Sequence, residues 1–232
     1  MALPRKDLIG TGYKIRQTIS ATIHQGHSKF GANAGMQCTC NALAFLLRAS
    51  SVSRFNTQFL DTILDNGIAI YNTLGLNTCL LISDLPNVVK LCGNVFHVKC
   101  VRTYAGDIHS TATDFTTPYL TLKDALRKSI NTHSHLLITL GSNPGFTSAI
   151  YKDGRHYYLF DPHSRTASGL PDPGGVAVLL KFDTQAALVL FLQHYAQSIS
   201  TSSLCPFEIT QLEFQKESRS RSVRSKAPSQ VT

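Results

Sequence analysis

The chain has 232 residues, of which 43% are hydrophobic and 16% charged, with a formal net charge of +8. This is the make-up of an ordinary globular protein, long enough for one domain with a substantial core. No apolar run reaches bilayer length, and no apolar stretch follows the charged N-terminal residues, so neither a membrane span nor a secretory signal is expected.

In chain order, residues 1–15 read as a loosely ordered lead-in. Thr18 to His24 is β-branched and roughly alternating, which predicts a strand. Gly26, Gly31 and Gly35 then punctuate a loop that ends at a dense apolar run from Cys38 to about Arg48, a helix buried on most sides. Phe59, Ile63, Ile70 and Leu74 recur at helical spacing within 55–74, although Gly67 weakens the middle of that helix. Thr78 to Ile82 is a short apolar run stopped by Ser83-Asp84-Leu85-Pro86, and Val95 to Val101 alternates as a strand does. Thr121 is the expected N-cap of a helix within 119–130.

The second half is rich in strands. Runs at 135–140 and 146–152 lead to Asp153-Gly154, a two-residue hairpin signal, and on into Arg155 to Asp161. A strand over 176–182, a helix over 184–197 and a strand over 207–214 complete the reading. The absence of βαβ alternation points to α+β: helices from the N-terminal half packed on a mainly antiparallel sheet from the C-terminal half.

Six cysteines (38, 40, 79, 92, 100 and 205) do not make a dense disulfide framework at this length. Free thiols in a reducing compartment are expected. Cys38-x-Cys40 has no second pair at ligand spacing, so no metal is expected, nor any other cofactor. Residues 216–232 carry half of the net charge, with arginines alternating with serines. They read as a disordered basic tail, open to nucleic acid, a membrane surface, a transport receptor or plain solvent.

Chemistry concentrates in two places. Cys38 stands where a glycine turn meets a helix, and a helix start presents unpaired N–H groups that favour a thiolate. Cys40 competes with it, but points about 200° away around the helix. Far downstream, Asp161-Pro162-His163 puts a carboxylate and an imidazole on one side of an extended run, about 6–7 Å apart at Cα. Asp161 would hold one ring nitrogen of His163 and leave the other for the thiol. An oxyanion would then be met by the Cys38 N–H and a side-chain amide, for which Gln25 is the better placed candidate and Gln37 the nearer one in sequence.

Gln25-Gly26, Phe30-Gly31, Gly35-Met36-Gln37-Cys38-Thr39-Cys40-Asn41 and Asp161-Pro162-His163-Ser164-Arg165 together resemble the N-terminal deubiquitinating domain of herpesvirus large tegument proteins. The resemblance covers roughly residues 15–215. It implies a papain-like fold, with Cys38 as nucleophile, His163 as base, Asp161 as orienting acid and Gln25 as oxyanion donor. It also implies hydrolysis after the C-terminal glycine of ubiquitin or a related modifier, and a place in the virion tegument and the host cytoplasm or nucleus. Ubiquitin conjugates and other tegument proteins are the implied partners. Two other readings stand beside it: a non-catalytic interaction or nucleic-acid-binding protein that uses the basic tail, and a peptidase acting on a viral polyprotein or another modifier. Asp61, Asp65 and Asp84 are candidate contacts for a basic face of ubiquitin.

Overall fold

A computed structural model describes residues 12–111, 119–141, 145–199 and 204–217. Eight strands form one sheet in the order β1-β7-β6-β5-β4-β8-β3-β2. They are β1 (Gln17–Ser20), β2 (Val88–Leu91), β3 (Asn94–Asp107), β4 (His135–Leu140), β5 (Phe146–Asp153), β6 (His156–Arg165), β7 (Val176–Phe182) and β8 (Pro206–Lys216). Every neighbouring pair is antiparallel. The helices are α1 (Cys38–Ala49), α2 (Thr57–Thr73), α3 (Leu122–Ile130) and α4 (Gln185–Ile199).

Strand alternation divides the core in two. Leu137, Ala149 and Tyr151 join the cluster built on α1 and α2. Their neighbours Leu136, Ile138 and Ile150 join the cluster built on α3 and α4. The sheet is therefore buried on both faces. The helices expected within 119–130 and 184–197 are α3 and α4, and they cover the second face, opposite the helices of the N-terminal half. The sheet draws its edges, β1 and β2–β3, from the first half of the chain.

Local chemistry sets the element ends. Asn56 accepts from the Phe59 N–H at the start of α2, and Thr121 from the Asp124 N–H at the start of α3, each supplying the N-cap of its helix. Gly67 is where α2 meets α1: a Cβ there would lie 2.7 Å from the Asn41 Cα, so only glycine permits that approach. Phe45 of α1 stacks on Phe160 of β6 with ring centroids 4.9 Å apart. That contact presses the end of β6 against the helix that begins at Cys38, and such a pair adds about 0.5–1.5 kcal/mol beyond its buried area.

Three boundaries differ from the sequence reading. The first strand ends at Ser20 because the Thr22 N–H turns to the Asp61 carboxylate of α2, 2.8 Å away. The short apolar run at 78–82 runs irregularly into a 3₁₀ turn at Ile82–Asp84, which leaves its class as the sequence left it, neither helix nor strand. Within the expected lead-in, Tyr13 and Ile15 pack on the α3–α4 cluster, Tyr13 edge-on to Phe191. Of the expected tail, Lys216 closes β8 opposite Phe96, and residues 218–232 lie outside the described residues.

Candidate active site

Gly35, at φ 87°, turns the chain towards α1, and its N–H donates to the Gln25 carbonyl at 3.1 Å. Gln37 does not cap the helix with its side chain. It is fully buried; Nε2 donates to the Gln25 carbonyl at 2.8 Å, and Oε1 accepts from the Met36 N–H at 3.1 Å. Its amide is thus spent on holding the turn. Cys38 is the first residue of α1, and no acidic residue in that first turn offsets the positive helix end. The next residue, Thr39, donates its hydroxyl to the Leu80 carbonyl at 2.9 Å, and the same oxygen lies 3.3 Å from Thr147 Oγ1. That hydroxyl ties the 78–83 segment to α1 and brings it within bonding range of β5, on either side of the thiol.

The opposing groups come from the end of β6. Its pairing with β7 shifts between Asp161 and Arg165, a bulge that redirects the strand. The Asp161 Oδ1 accepts from His163 Nδ1 at 2.6 Å and from the His163 backbone N–H at 2.9 Å. Both side chains are well buried, 13% exposed for the imidazole and 6% for the carboxylate. With Nδ1 held by Asp161, Nε2 is the ring nitrogen left free, and the imidazole is near enough to Cys38 to act on its thiol electrostatically.

The electrostatics follow from burial and these contacts. Burial alone would push the Cys38 thiol up, but the hydrogen bond and charge of His163 outweigh it and hold the thiol below its ordinary value. Burial would also lower the imidazole; the Asp161 carboxylate prevails and raises His163 to about 9. Asp161 is itself disfavoured by burial, yet Arg165 and His163 keep it well below the usual carboxylate range. Cys40 has no such partner. Burial, reinforced by Cys38, pushes it up to about 12. Two thiols two residues apart therefore move in opposite directions.

Gln25 lies at the seam between the two halves. Its N–H donates to the carbonyl of Pro162, the residue between Asp161 and His163, at 2.9 Å. Its side-chain amide is loosely used: Nε2 reaches the Gly35 carbonyl at 3.4 Å, and the buried Oε1 has no partner. The four residues singled out from sequence thus come from both sides of one junction. A cleft of about 790 Å³ opens on Cys38, lined by residues 78–83, Cys100, Thr103, Thr139, Gly145, Thr147, Glu208 and Thr210. Cys79 and Cys100 line it too, and burial raises both thiols.

All six cysteines are free, and among the described residues no three His, Cys, Asp or Glu side chains cluster as a metal site. The three carboxylates considered for a modifier surface have partners within the chain. Asp61 takes the Thr22 N–H, Asp65 pairs with Lys29, and Asp84 takes the Leu81 N–H. Sequence reasoning passed over Thr39 and Arg165. For Arg165 the signal was available: it is two residues beyond His163 in the same extended run, and so on the same side.

A thiol at the start of a buried helix, facing an imidazole–carboxylate pair across the end of an antiparallel sheet, defines a papain-like α+β architecture. The comparisons supply the family: the chain belongs to the herpesvirus tegument proteins, whose N-terminal conserved region matches residues 20–218. The large tegument protein deneddylase of Epstein-Barr virus (strain B95-8) is 25% identical over 177 residues, 72% of this chain and 6% of that protein. The deneddylase of the same name from Murid herpesvirus 4 is 31% identical over 186 residues, 70% of this chain and 7% of that protein. The chain thus spans well under a tenth of the length of these relatives. Its fold is that of the ubiquitin-specific protease encoded by the murine cytomegalovirus tegument protein M48, solved with a ubiquitin-based suicide substrate. The TM-score is 0.72 at 17% identity, over 89% of both chains. Among the described residues no helix is long and apolar enough to cross a membrane.

Proposed function

We propose that this chain is a cysteine protease that hydrolyses the peptide or isopeptide bond after the C-terminal glycine of ubiquitin or a ubiquitin-like modifier. The observation that carries the reading is the buried Asp161–His163 pair together with a Cys38 thiol at the positive end of α1 that His163 holds below its ordinary value. The names of the relatives, deneddylase and ubiquitin-specific protease, support the substrate class. Residues 16–215 form the catalytic domain in this reading.

Before substrate arrives, the thiol proton rests on His163 Nε2, and Asp161 and the helix end stabilise the resulting ion pair. The Cys38 sulfur attacks the carbonyl carbon of the terminal glycine. The Cys38 N–H and the Gln25 amide meet the oxyanion, with Nε2 of Gln25 leaving its long contact to Gly35. His163 then protonates the departing amine, and a water activated by the same imidazole releases the modifier from the thioester.

Two probes test this: ubiquitin and the neddylation modifier, each carrying a C-terminal electrophile, incubated with the folded chain and followed by mass mapping. The reading expects a stable adduct on Cys38 with at least one of them. A folded protein that reacts with neither, or reacts at Cys79 or Cys100, would overturn it.

A further inference from the structure

Arg165 is 5% exposed, a charge buried where a charge is costly unless paired. Its guanidinium makes three directed contacts. Nε donates to Asp161 Oδ2 at 2.7 Å, Nη1 to the Ser164 carbonyl at 3.0 Å, and Nη2 to the Tyr195 hydroxyl of α4 in a short hydrogen bond. It also lies over the rings of Tyr195, at 5.0 Å, and Phe146, at 5.7 Å, while Phe146 meets the His163 ring edge-on. The backbone around it is equally fixed. A Cβ on Gly175 would stand within 2.5 Å of the Arg165 N and C atoms, so glycine is what lets the chain pass so close.

From this arrangement we infer that Arg165, clamped by Tyr195, is a positioning residue: it fixes and neutralises the second oxygen of Asp161, and thereby sets the imidazole of His163 towards Cys38. It acts through Asp161 and touches neither thiol nor substrate. The carboxylate has two oxygens, one spent on His163 and one on Arg165, so it can neither rotate away nor carry an unbalanced charge. Arg165 and Asp161 cancel, and the Cys38–His163 pair is left as a second balanced couple. Tyr195 belongs to α4 and packs in the core cluster on the far face of the sheet, so both layers of the domain support the site.

Burial resists the charge of Asp161, and Arg165 heads the contacts that overcome it. Arg165 bonds the carboxylate and not the imidazole, so it positions His163 by way of Asp161. The other titratable groups near the pair are His24, beside His163 and Arg165, and Cys40 and Cys79, beside Cys38.

The test compares wild type with Arg165→Met, Arg165→Lys and Tyr195→Phe. It measures Cys38 alkylation by iodoacetamide against pH, and kcat and KM on a modifier substrate. Alkylation needs no modifier, so it reads this inference even if the proposed substrate class is wrong. Arg165→Met should move the alkylation midpoint to higher pH by about one unit, roughly a tenfold loss of thiolate on the acid side. It should also lower kcat at least about tenfold with KM unchanged. Arg165→Lys should recover part of both, and Tyr195→Phe should show the smallest shift in the same direction. A folded Arg165→Met protein with a wild-type alkylation profile would overturn the inference. If Arg165→Met does not fold, wild-type profiles in both Arg165→Lys and Tyr195→Phe would do so.

Discussion

The two ends of α1 stand beside two different grooves, and near each a thiol, an imidazole and a carboxylate come together. At the C-terminal end a groove of about 1010 Å³ is lined by Arg48, Cys92, His97, His133 and Glu213, among others. Arg48 reaches the Cys92 sulfur at 2.7 Å; His97 pairs with Glu217 at 2.9 Å and His133 with Glu213 at 3.0 Å. At the N-terminal end, the smaller cleft is lined by Cys38, whose thiol His163, bonded to Asp161, holds below its ordinary value. The inventory is the same, but the physics is not. The carboxylates of these two pairs are each 53% exposed, whereas Asp161 is 6% exposed and bonded through both oxygens. An exposed pair is screened by water and salt; a buried, doubly held one is not. The helix adds to the contrast, being positive where Cys38 sits and negative where Arg48 sits. Burial, fixation and helix polarity make a site out of residues that elsewhere are only surface.

The largest expected effect separates the two thiols. Cys38→Ala should abolish turnover, a loss of at least about 10⁴-fold. Cys92→Ala should leave turnover within about twofold, which direct kinetics on a modifier substrate will check. Next, Asp161→Asn should lower kcat by about 10²- to 10⁴-fold, while Glu217→Gln at the exposed pair should change nothing measurable. Equal effects at the two carboxylates would erase the distinction drawn from burial. Gln25→Ala should cost about 10²- to 10³-fold in kcat with little change in KM, as expected for a donor needed only in the transition state. The smallest effect concerns Cys40, fully buried two residues from Cys38. Cys40→Ala should lower unfolding stability by about 1–2 kcal/mol in denaturant titration and leave turnover intact. Loss of turnover there would move the nucleophile.

Much of this arrangement was legible in the sequence because its signals are local. Glycine before an apolar helix located Cys38, the spacing of Asp161 and His163 gave their hydrogen bond, and Asp153-Gly154 marked the β5–β6 turn. What could not be read depends on distant partners. Val88 to Leu91 is too short to announce a strand, and it exists because β3 offers it a ladder. The short apolar run at 78–82 carries no periodicity that announces its part: the Thr39 hydroxyl donates to the Leu80 carbonyl and the segment becomes a wall of the cleft. β8 enters the sheet between β3 and β4, a placement with no signature in its own residues. Gln37 and Gln25 were both candidates as amides; only their hydrogen bonds distinguish the one spent on the turn from the one left loose.

The central claim is that His163 and the start of α1 keep Cys38 as a thiolate. Ultraviolet thiolate absorbance, titrated with pH for wild type and for Cys38→Ser, measures this directly. The difference should show one thiolate already present below the ordinary thiol value of about 8.5. Turnover should then fall as pH rises through about 9, where His163 loses its proton. A difference curve that titrates at or above the ordinary thiol value would contradict the account.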